Sequence, residues 1–209
     1  NFEYVLQGQE KDFQTGLDAL AKIAKTHLGI CVCQKNPALT GAKNVTVTTF
    51  EGANPAGNVG VQINHVDPIN KGEIVWTLGA EEVIFIGRLF NNGHVDFTRT
   101  IALAGSEVKK PAYCKVKVGA KLTGIFAGRV ENAQPLRYIN GNPLTGVQTC
   151  AEGYLAAHAT SLTVIPEGTD NHEFLGFIMP RFNQFSTSRS YFSWLCGKKE
   201  YALDARIKG

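Results

Sequence analysis

The stretch from residue 98 to 118 constrains the fold most, because its side chains alternate in the manner of a β-hairpin. Ile101 and Leu103 alternate with small or polar neighbours, which is the period-two pattern of a strand with one buried face. Gly105 and a Lys-Lys-Pro run supply turn residues, and residues 113–118 return as a second strand. The stretch therefore predicts two half-buried antiparallel strands.

Further elements follow this hairpin in an order that favours one architecture. Residues 119–126 predict a short helix, residues 137–146 a strand and a turn, and residues 160–166 a final apolar strand. A hairpin, a helix across its face and further strands form a β-grasp layout, in which one sheet face packs on one helix. We predict a β-grasp domain over residues 95–175 and a connecting segment over residues 176–209.

The first 94 residues alternate helical and strand-like patterns. The pattern predicts a helix over 11–26 that ends by Gly29, followed by strands over 30–34 and 44–50. A helix from Pro55 to about 65 follows, with Asn54 as its N-cap. The last two predicted elements are a buried strand over 74–78 and a helix over 80–90. This order predicts an α/β layer over residues 1–94. The fold class of the whole chain is therefore α/β followed by α+β.

Composition narrows the functional classes. The chain has 209 residues, of which 44% are hydrophobic, enough to bury one large core or two small ones. Its most apolar segment, residues 83–90, is interrupted by Gly87 and Arg88, and no run approaches the ~20 apolar residues of a membrane-spanning helix. The formal charge of +3 is spread without a basic tract. We predict no direct membrane span and no nucleic-acid partner.

Cysteine usage favours a reducing compartment, because five cysteines form no disulfide framework. Cys31 and Cys33 form a C-x-C pair, which places two thiols on one face of a strand. Metal binding or redox chemistry is the alternative to a structural role, but zinc and iron–sulfur sites require a second pair of ligands. We predict that both thiols are buried in the strand.

A glycine-rich stretch lies between the second predicted strand and the helix that follows it. Its candidate residues for phosphate or dinucleotide binding are Gly52, Asn54, Gly57 and Gly60. The spacing is not G-x-G-x-x-G, and no P-loop lysine follows. The competing interpretation is a packing turn in which glycine permits close backbone approach. We favour the packing turn.

Aromatic and arginine residues crowd together between residues 180 and 194. The candidate contact residues are Arg181, Phe182, Phe185, Arg189, Tyr191, Phe192 and Trp194. Aromatic rings mixed with arginine are typical of interfaces and their hot spots. The competing interpretation is that these rings cap the β-grasp core or are buried against the first domain, and we favour it slightly.

No catalytic or metal-ligating constellation is recognisable in the sequence. The five histidines stand apart without an H-E-x-x-H pattern. The serines near residues 186–193 lack the G-x-S-x-G frame of a nucleophile elbow. We predict neither a catalytic residue nor a metal site, and we interpret His158 as a hydrogen-bonded structural histidine.

Several separated motifs resemble one family. The run IALAGSEVKKP at 101–111 resembles the hairpin of the soluble-ligand-binding β-grasp (SLBB) module. Six further motifs along the chain contribute to the resemblance: GLDAL at 16–20, ICVC at 30–33, FEGANPAG at 50–57, VWTLGAEEVIFIGRLF at 75–90, NPLTG at 142–146 and GFIMPRFNQFSTSRSYF at 176–192. In this order the motifs resemble the A-subunit family of the sodium-translocating NADH:quinone oxidoreductases.

The resemblance implies a role within a complex. Its members work at the cytoplasmic face of the bacterial inner membrane, with other subunits as partners, above all a membrane-embedded one. The complex moves electrons from NADH to quinone and exports sodium, and FAD, FMN and iron–sulfur centres sit in other subunits. The resemblance implies a partial Rossmann-like fold for the α/β domain over residues 1–94, and further domains before and after the chain. It also implies that this chain binds no cofactor, and it makes quinone contact a hypothesis.

Two alternatives remain open at this point. A free-standing β-grasp module would capture a small soluble ligand without a complex. A relative of the electron-transport C-subunit of the Rnf type would carry C-x-x-C-x-x-C motifs, which this sequence does not contain.

Overall fold

The computed structural model describes residues 2–131, 135–168, 179–186, 188–197, 200–201 and 205. It divides the chain into two compact units, residues 1–97 (unit 1) and 98–209 (unit 2). The mixed α/β class is confirmed, while the three predicted domain boundaries stay predictions. Within the described residues, no helix combines the length and apolarity that crossing a bilayer requires.

Unit 1 combines five helices with a small parallel sheet, counted over its described residues. Its elements are α1 Phe2–Leu6, α2 Glu10–Ile23, β1 His27–Cys31, α3 Pro37–Thr40, β2 Thr46–Phe50, α4 Val59–Val66 and α5 Ala80–Asn92. Strands β1 and β2 pair in parallel, with His27 opposite Thr46 and Cys31 opposite Phe50. Both strands therefore end at the same edge.

The core of unit 1 depends on a close contact between α2 and α5. Phe13 and Leu17 of α2 and Ile84 of α5 are almost fully buried in it. A Cβ on Gly87 would overlap the Asp12 carbonyl oxygen of α2. A side chain at this position would push the helices apart, so the contact needs glycine.

Two predicted boundaries near the start of unit 1 are wrong. Helix α2 ends at Ile23 because Ala24 is already extended, and β1 begins at His27, three residues before the predicted strand. Gly29 lies inside β1 rather than at a helix end. A Cβ there would lie 3.2 Å from the ring of Phe50, so this glycine serves close packing on the strand.

The predicted start of the next helix is also wrong. Helix α4 begins at Val59 with Asn58 at its N-cap position, not at Pro55 after Asn54. Residues 53–58 form two consecutive turns instead, since the N–H of Ala56 donates to Ala53 and the N–H of Asn58 donates to Pro55. These turns use the residues that the sequence pattern assigned to the first helical turn.

The predicted buried strand over residues 74–78 does not form. This segment has no regular secondary structure, and Ile74 and Trp76 are 82% and 88% exposed. The described part of unit 1 contains no strand beside β1 and β2 for it to pair with. An apolar sequence is not sufficient to form a buried strand when no neighbouring strand is available for pairing. The prediction of α5, by contrast, is confirmed.

Unit 2 is built on a five-stranded sheet. Its elements are β3 Thr98–Ala104, β4 Ala112–Lys117, α6 Leu122–Phe126, β5 Leu136–Asn140, β6 Val147–Thr149, β7 Ser161–Pro166 and a 3₁₀ helix Phe192–Cys196. The strand order is β4-β3-β7-β5-β6. Strands β3 and β7 are parallel and the other pairs antiparallel, so the predicted hairpin of β3 and β4 is confirmed.

The core of unit 2 lies between this sheet and α6. Its fully buried members include Ile101 of β3, Leu122 of α6 and Leu162 of β7. At the end of β3, Gly105 adopts φ +121°, and a Cβ there would overlap the carbonyl oxygen of Val164 on β7. Glycine therefore permits both the turn and the backbone approach.

We expect Gly87→Ala to lower the free energy of unfolding by about 1–3 kcal/mol, because the added methyl overpacks the α2–α5 contact. Gly60→Ala is the matched control, since Gly60 is also helical and a Cβ there meets nothing within 4 Å. That change should leave stability unchanged or raise it by up to about 1 kcal/mol. Urea unfolding followed by circular dichroism measures both; equal stability of the two variants would contradict the packing account.

The exposure of residues 74–78 is testable by fluorescence, because the chain has two tryptophans, Trp76 and Trp194. In Trp194→Phe, emission comes from Trp76 alone, and we expect red-shifted emission with strong acrylamide quenching. In Trp76→Phe, the 59% exposed Trp194 should be quenched less. Blue-shifted emission from Trp76 would restore the buried-strand prediction.

Candidate functional site

The described residues 179–186 and 188–197 of unit 2, called here the aromatic segment, hold all seven predicted contact residues. Residues 176–178 and 187 of the corresponding motif, and also His172, lie outside the described residues. The segment is closed by a backbone hydrogen bond from the N–H of Phe192 to the Pro180 carbonyl, at 2.9 Å. Residues distant in sequence are thereby brought side by side.

Arg181 and Tyr191 form the internal contact of the aromatic segment. The guanidinium carbon of Arg181 lies 5.2 Å from the centre of the Tyr191 ring, a cation–π distance. Nη1 of the same arginine donates to Oε1 of Gln184 at 2.8 Å. Tyr191 is only 7% exposed. These two candidates therefore hold the segment together, and the ring of Tyr191 is buried.

The serines of the aromatic segment form a second internal contact. Ser186 is buried, and its Oγ accepts the N–H of Ser190 and lies 3.0 Å from Ser190 Oγ. Ser188 donates to Ser190 Oγ at 3.3 Å. The hydroxyls thus stabilise a turn by hydrogen bonding to one another.

Four other rings of the aromatic segment face solvent. Phe182, Phe185, Phe192 and Trp194 are 49%, 47%, 47% and 59% exposed. The centroids of Phe182 and Phe192 lie 6.2 Å apart, so these two rings form one exposed pair. None of the four is buried in the described structure, and both interpretations of these rings, core capping and partner contact, stay predictions. Arg189, at φ +60°, is also exposed.

Sequence reasoning missed several exposed apolar residues. Met179 and Leu195 extend the exposed face of the aromatic segment, at 58% and 60% exposure. In unit 1, an apolar strip is formed by Ile69, Ile74, Val75, Trp76 and Leu78, each at least 46% exposed. Their apolar character is the one signal in the sequence that could have identified them. In a sequence, however, apolar residues indicate a buried core as readily as an exposed binding surface.

The glycine loop, residues 51–58, lies at the carboxyl end of β2. Gly52 adopts φ +146°, and its Cβ position lies 3.3 Å from the Cβ of Ala56. Gly57 and Gly60 meet nothing within 4 Å, so the close-approach interpretation is wrong for these two. Asn54 is exposed within the loop. Phosphate binding by these residues stays a prediction.

Cys31 and Cys33 depart from the predicted buried pair. Both residues are exposed, and a disulfide joins them. The reason is that β1 ends at Cys31, so Cys33 lies in the turn that follows rather than on a strand face.

The titratable side chains form no metal site in the described residues, where no group of three His, Cys, Asp or Glu is arranged to hold an ion. Lys25 Nζ lies 2.7 Å from Oδ2 of Asp67, and His27 Nε2 lies 3.7 Å from the same oxygen. The hydrogen bond and charge of Lys25 hold the pKa of the Asp67 carboxyl below its usual value. Because Lys25 and Asp67 are exposed to water, the ion pair between them contributes little to stability.

Comparison with known proteins gives one consistent result. The family model described as "NqrA second alpha/beta domain" matches residues 1–95, and the one described as "NQRA C-terminal domain" (NQRA_SLBB) matches residues 100–151.

Similar proteins align with nearly the whole chain. Proteins named as the A subunit of the Na(+)-translocating NADH-quinone reductase are 33% identical over 98% of this chain in Rhodopirellula baltica and 34% identical over 99% of it in Actinobacillus pleuropneumoniae. In Pasteurella multocida the identity is 32% over 90% of the chain. The chain spans 45%, 46% and 42% of these relatives, so it corresponds to less than half of their length.

The two domain matches follow each other in order and together cover more than half of the chain. Together with these relatives, they show that the chain belongs to the NqrA family, the A subunits of the Na(+)-translocating NADH-quinone reductases.

Proposed function

We propose that this chain is part of the peripheral A subunit of a sodium-translocating NADH:quinone reductase, where it holds neighbouring subunits in place. The whole complex transfers electrons from NADH to quinone and couples this transfer to sodium transport. The observation that carries the proposal is the order of the two NqrA domain matches along one chain. The Rnf-type alternative is less well supported, because the relatives are named as A subunits of the reductase.

Redox groups belong to other subunits in this proposal. NADH, FAD, FMN and the iron–sulfur centres act elsewhere in the complex, and this chain binds none of them. The glycine loop supports this assignment, since the N–H groups of Ala56 and Asn58 already donate to carbonyls within the loop. A phosphate-binding turn instead points its N–H groups at the ligand. The isolated chain should therefore not catalyse the reaction.

The proposal extends to the type of each unit. The parallel pair β1–β2 flanked by helices supports a partial Rossmann-like layer in unit 1. The order β4-β3-β7-β5-β6, with a parallel central pair and the buried face of α6 against it, supports a β-grasp fold in unit 2. These fold types would place the aromatic segment after the final strand of the β-grasp sheet.

The aromatic segment is the proposed docking surface for the membrane-embedded subunit, at the cytoplasmic face of the inner membrane. Its rings and Arg189 are exposed in the same segment, and aromatic residues with arginine are the usual anchors of protein interfaces. The Arg181–Tyr191 contact fixes the segment from within, which lowers the entropy lost on binding. The surface is therefore both apolar and preorganised.

Quinone contact is a narrower hypothesis for the same segment. The exposed pair Phe182 and Phe192 offers flat apolar surface to a quinone ring, and Arg189 carries donors for its carbonyl oxygens. A ligand site of this kind would also suit the alternative function, a soluble-ligand module. Binding to the membrane-embedded partner and binding to a quinone therefore need separate experiments.

We expect Trp194→Ala to weaken binding to the membrane-embedded subunit at least tenfold, because a half-exposed tryptophan in the docking surface would become buried in the complex. The measurement is the Kd between this chain and the detergent-solubilised subunit from the same organism. Leu144→Ala is the matched control, as Leu144 of unit 2 is 92% exposed and lies outside the aromatic segment. Its Kd should change less than about threefold. Equal effects of the two substitutions would contradict the assignment of the docking surface.

Thermal unfolding tests the quinone hypothesis. A short-chain ubiquinone analogue at 100 times its Kd should raise Tm by about 5–10 °C, and Phe182→Ala or Arg189→Ala should abolish the shift. No shift in the wild-type chain would leave the segment as a docking surface alone. A shift without any binding to the membrane-embedded subunit would favour the soluble-ligand module.

A further inference from the structure

A disulfide joins Cys31 and Cys33 at the carboxyl end of β1, and both residues are exposed to solvent. Their Cα atoms lie 5.2 Å apart, within the usual range for a disulfide. Val32 between them is 51% exposed, so no apolar layer covers the pair. A thiol in solution therefore has access to this bond.

The bond is poorly placed to stabilise the fold. It closes a loop of only three residues at the end of one strand, and the shortest loops restrain the unfolded chain least. Backbone hydrogen bonds already hold the chain here, since the N–H of Val32, between the two cysteines, donates to the Phe50 carbonyl at 3.0 Å and the N–H of Gln34 donates to the Cys31 carbonyl at 2.9 Å. Unit 1 does not need this bond to keep β1 beside β2.

The two sulfur atoms are not equivalent. The backbone N–H of Cys33 lies 3.2 Å from Sγ of Cys31 and donates to it. A hydrogen bond of this kind favours negative charge on the acceptor sulfur. Cys31 is therefore the better leaving group when a thiolate attacks the disulfide, and Cys33 is the sulfur that is attacked.

We propose that Cys31 and Cys33 form a reversible thiol–disulfide exchange site for small thiols of the glutathione class. A thiolate attacks Sγ of Cys33, the Cys31–Cys33 bond breaks, and Cys31 leaves as a thiolate that takes a proton from water. A second thiolate attacks the sulfur of the bound thiol in the mixed disulfide and releases Cys33. Two thiols thereby become one disulfide, and the two electrons reduce the cysteine pair.

Other cysteines of the chain provide internal references. Cys114, Cys150 and Cys196 are free, and within the described residues the bond between Cys31 and Cys33 is the only disulfide. Cys150 and Cys196 are exposed like the pair but have no partner sulfur. Exposure of a cysteine is therefore not sufficient for the proposed exchange, which also needs a second cysteine sulfur close by.

The test equilibrates the whole chain with glutathione at a series of reduced-to-oxidised ratios, followed by acid quenching and alkylation with N-ethylmaleimide. Trypsin cleavage after Lys25 and Lys35 gives a peptide of residues 26–35, whose two cysteines are Cys31 and Cys33. Mass spectrometry then counts zero or two alkyl groups on this peptide. We expect a reversible transition between the two forms, reached equally from the oxidised and the reduced protein.

Two variants test whether the exchange depends on the Cys31–Cys33 pair. Cys31→Ser should convert the cyclic disulfide into a lasting glutathione adduct on Cys33, because the resolving sulfur is gone. Cys150→Ser should leave the transition of the 26–35 peptide unchanged. Two alkyl groups at every glutathione ratio would overturn the proposal, since no disulfide would then form. Zero alkyl groups even in excess reduced glutathione would also overturn it, since the bond would then not exchange.

Discussion

Close contact between backbones at glycine is the constraint on which both units depend. In unit 1, α5 approaches α2 so closely at Gly87 that a methyl group would overlap a carbonyl oxygen. In unit 2, Gly105 meets the backbone of β7 in the same way. Once these approaches are made, Phe13, Ile84, Ile101 and their neighbours fill the two cores. Large side chains at either glycine would separate the layers that these cores join.

Some apolar side chains remain on the surface, outside the two cores, and the proposed function depends on them. The aromatic segment exposes four rings while its own contacts, above all Arg181 on Tyr191, hold it in one shape. A folded chain rarely keeps such a surface without a use for it. We propose that contact with another subunit is that use, since the relatives are named as subunits of a reductase. The proposed role is therefore binding, with the chemistry carried by neighbouring subunits.

Local signals in the sequence are sufficient for several elements. The β3–β4 hairpin follows from alternation and turn residues that act within about twenty residues of each other. The start of α5 follows from Glu81 and Glu82 in its first turn, which favour the positive end of a helix. The seven candidates of the aromatic segment also stand out as a group, because composition marks interfaces as well as cores.

Other elements depend on contacts that sequence does not reveal. Asn54 and Asn58 are both good caps, and only the turns over residues 53–58 decide between them. Gly29 can end a helix or permit close packing on a strand, and the ring of Phe50 decides for the strand. Trp76 and its neighbours are apolar enough for a core, but burial requires a partner element. Cys33 is exposed because β1 ends at Cys31, before the end that the pattern indicates.

The central claim is that the aromatic segment touches the membrane-embedded subunit, and site-specific photocrosslinking tests it most directly. A benzophenone amino acid placed at Trp194 in the assembled complex should crosslink to that subunit, while the same group at Leu144 should not. The account predicts one crosslinked product whose partner is identified by mass spectrometry as the membrane-embedded subunit. Crosslinking from Leu144 but not from Trp194 would contradict it.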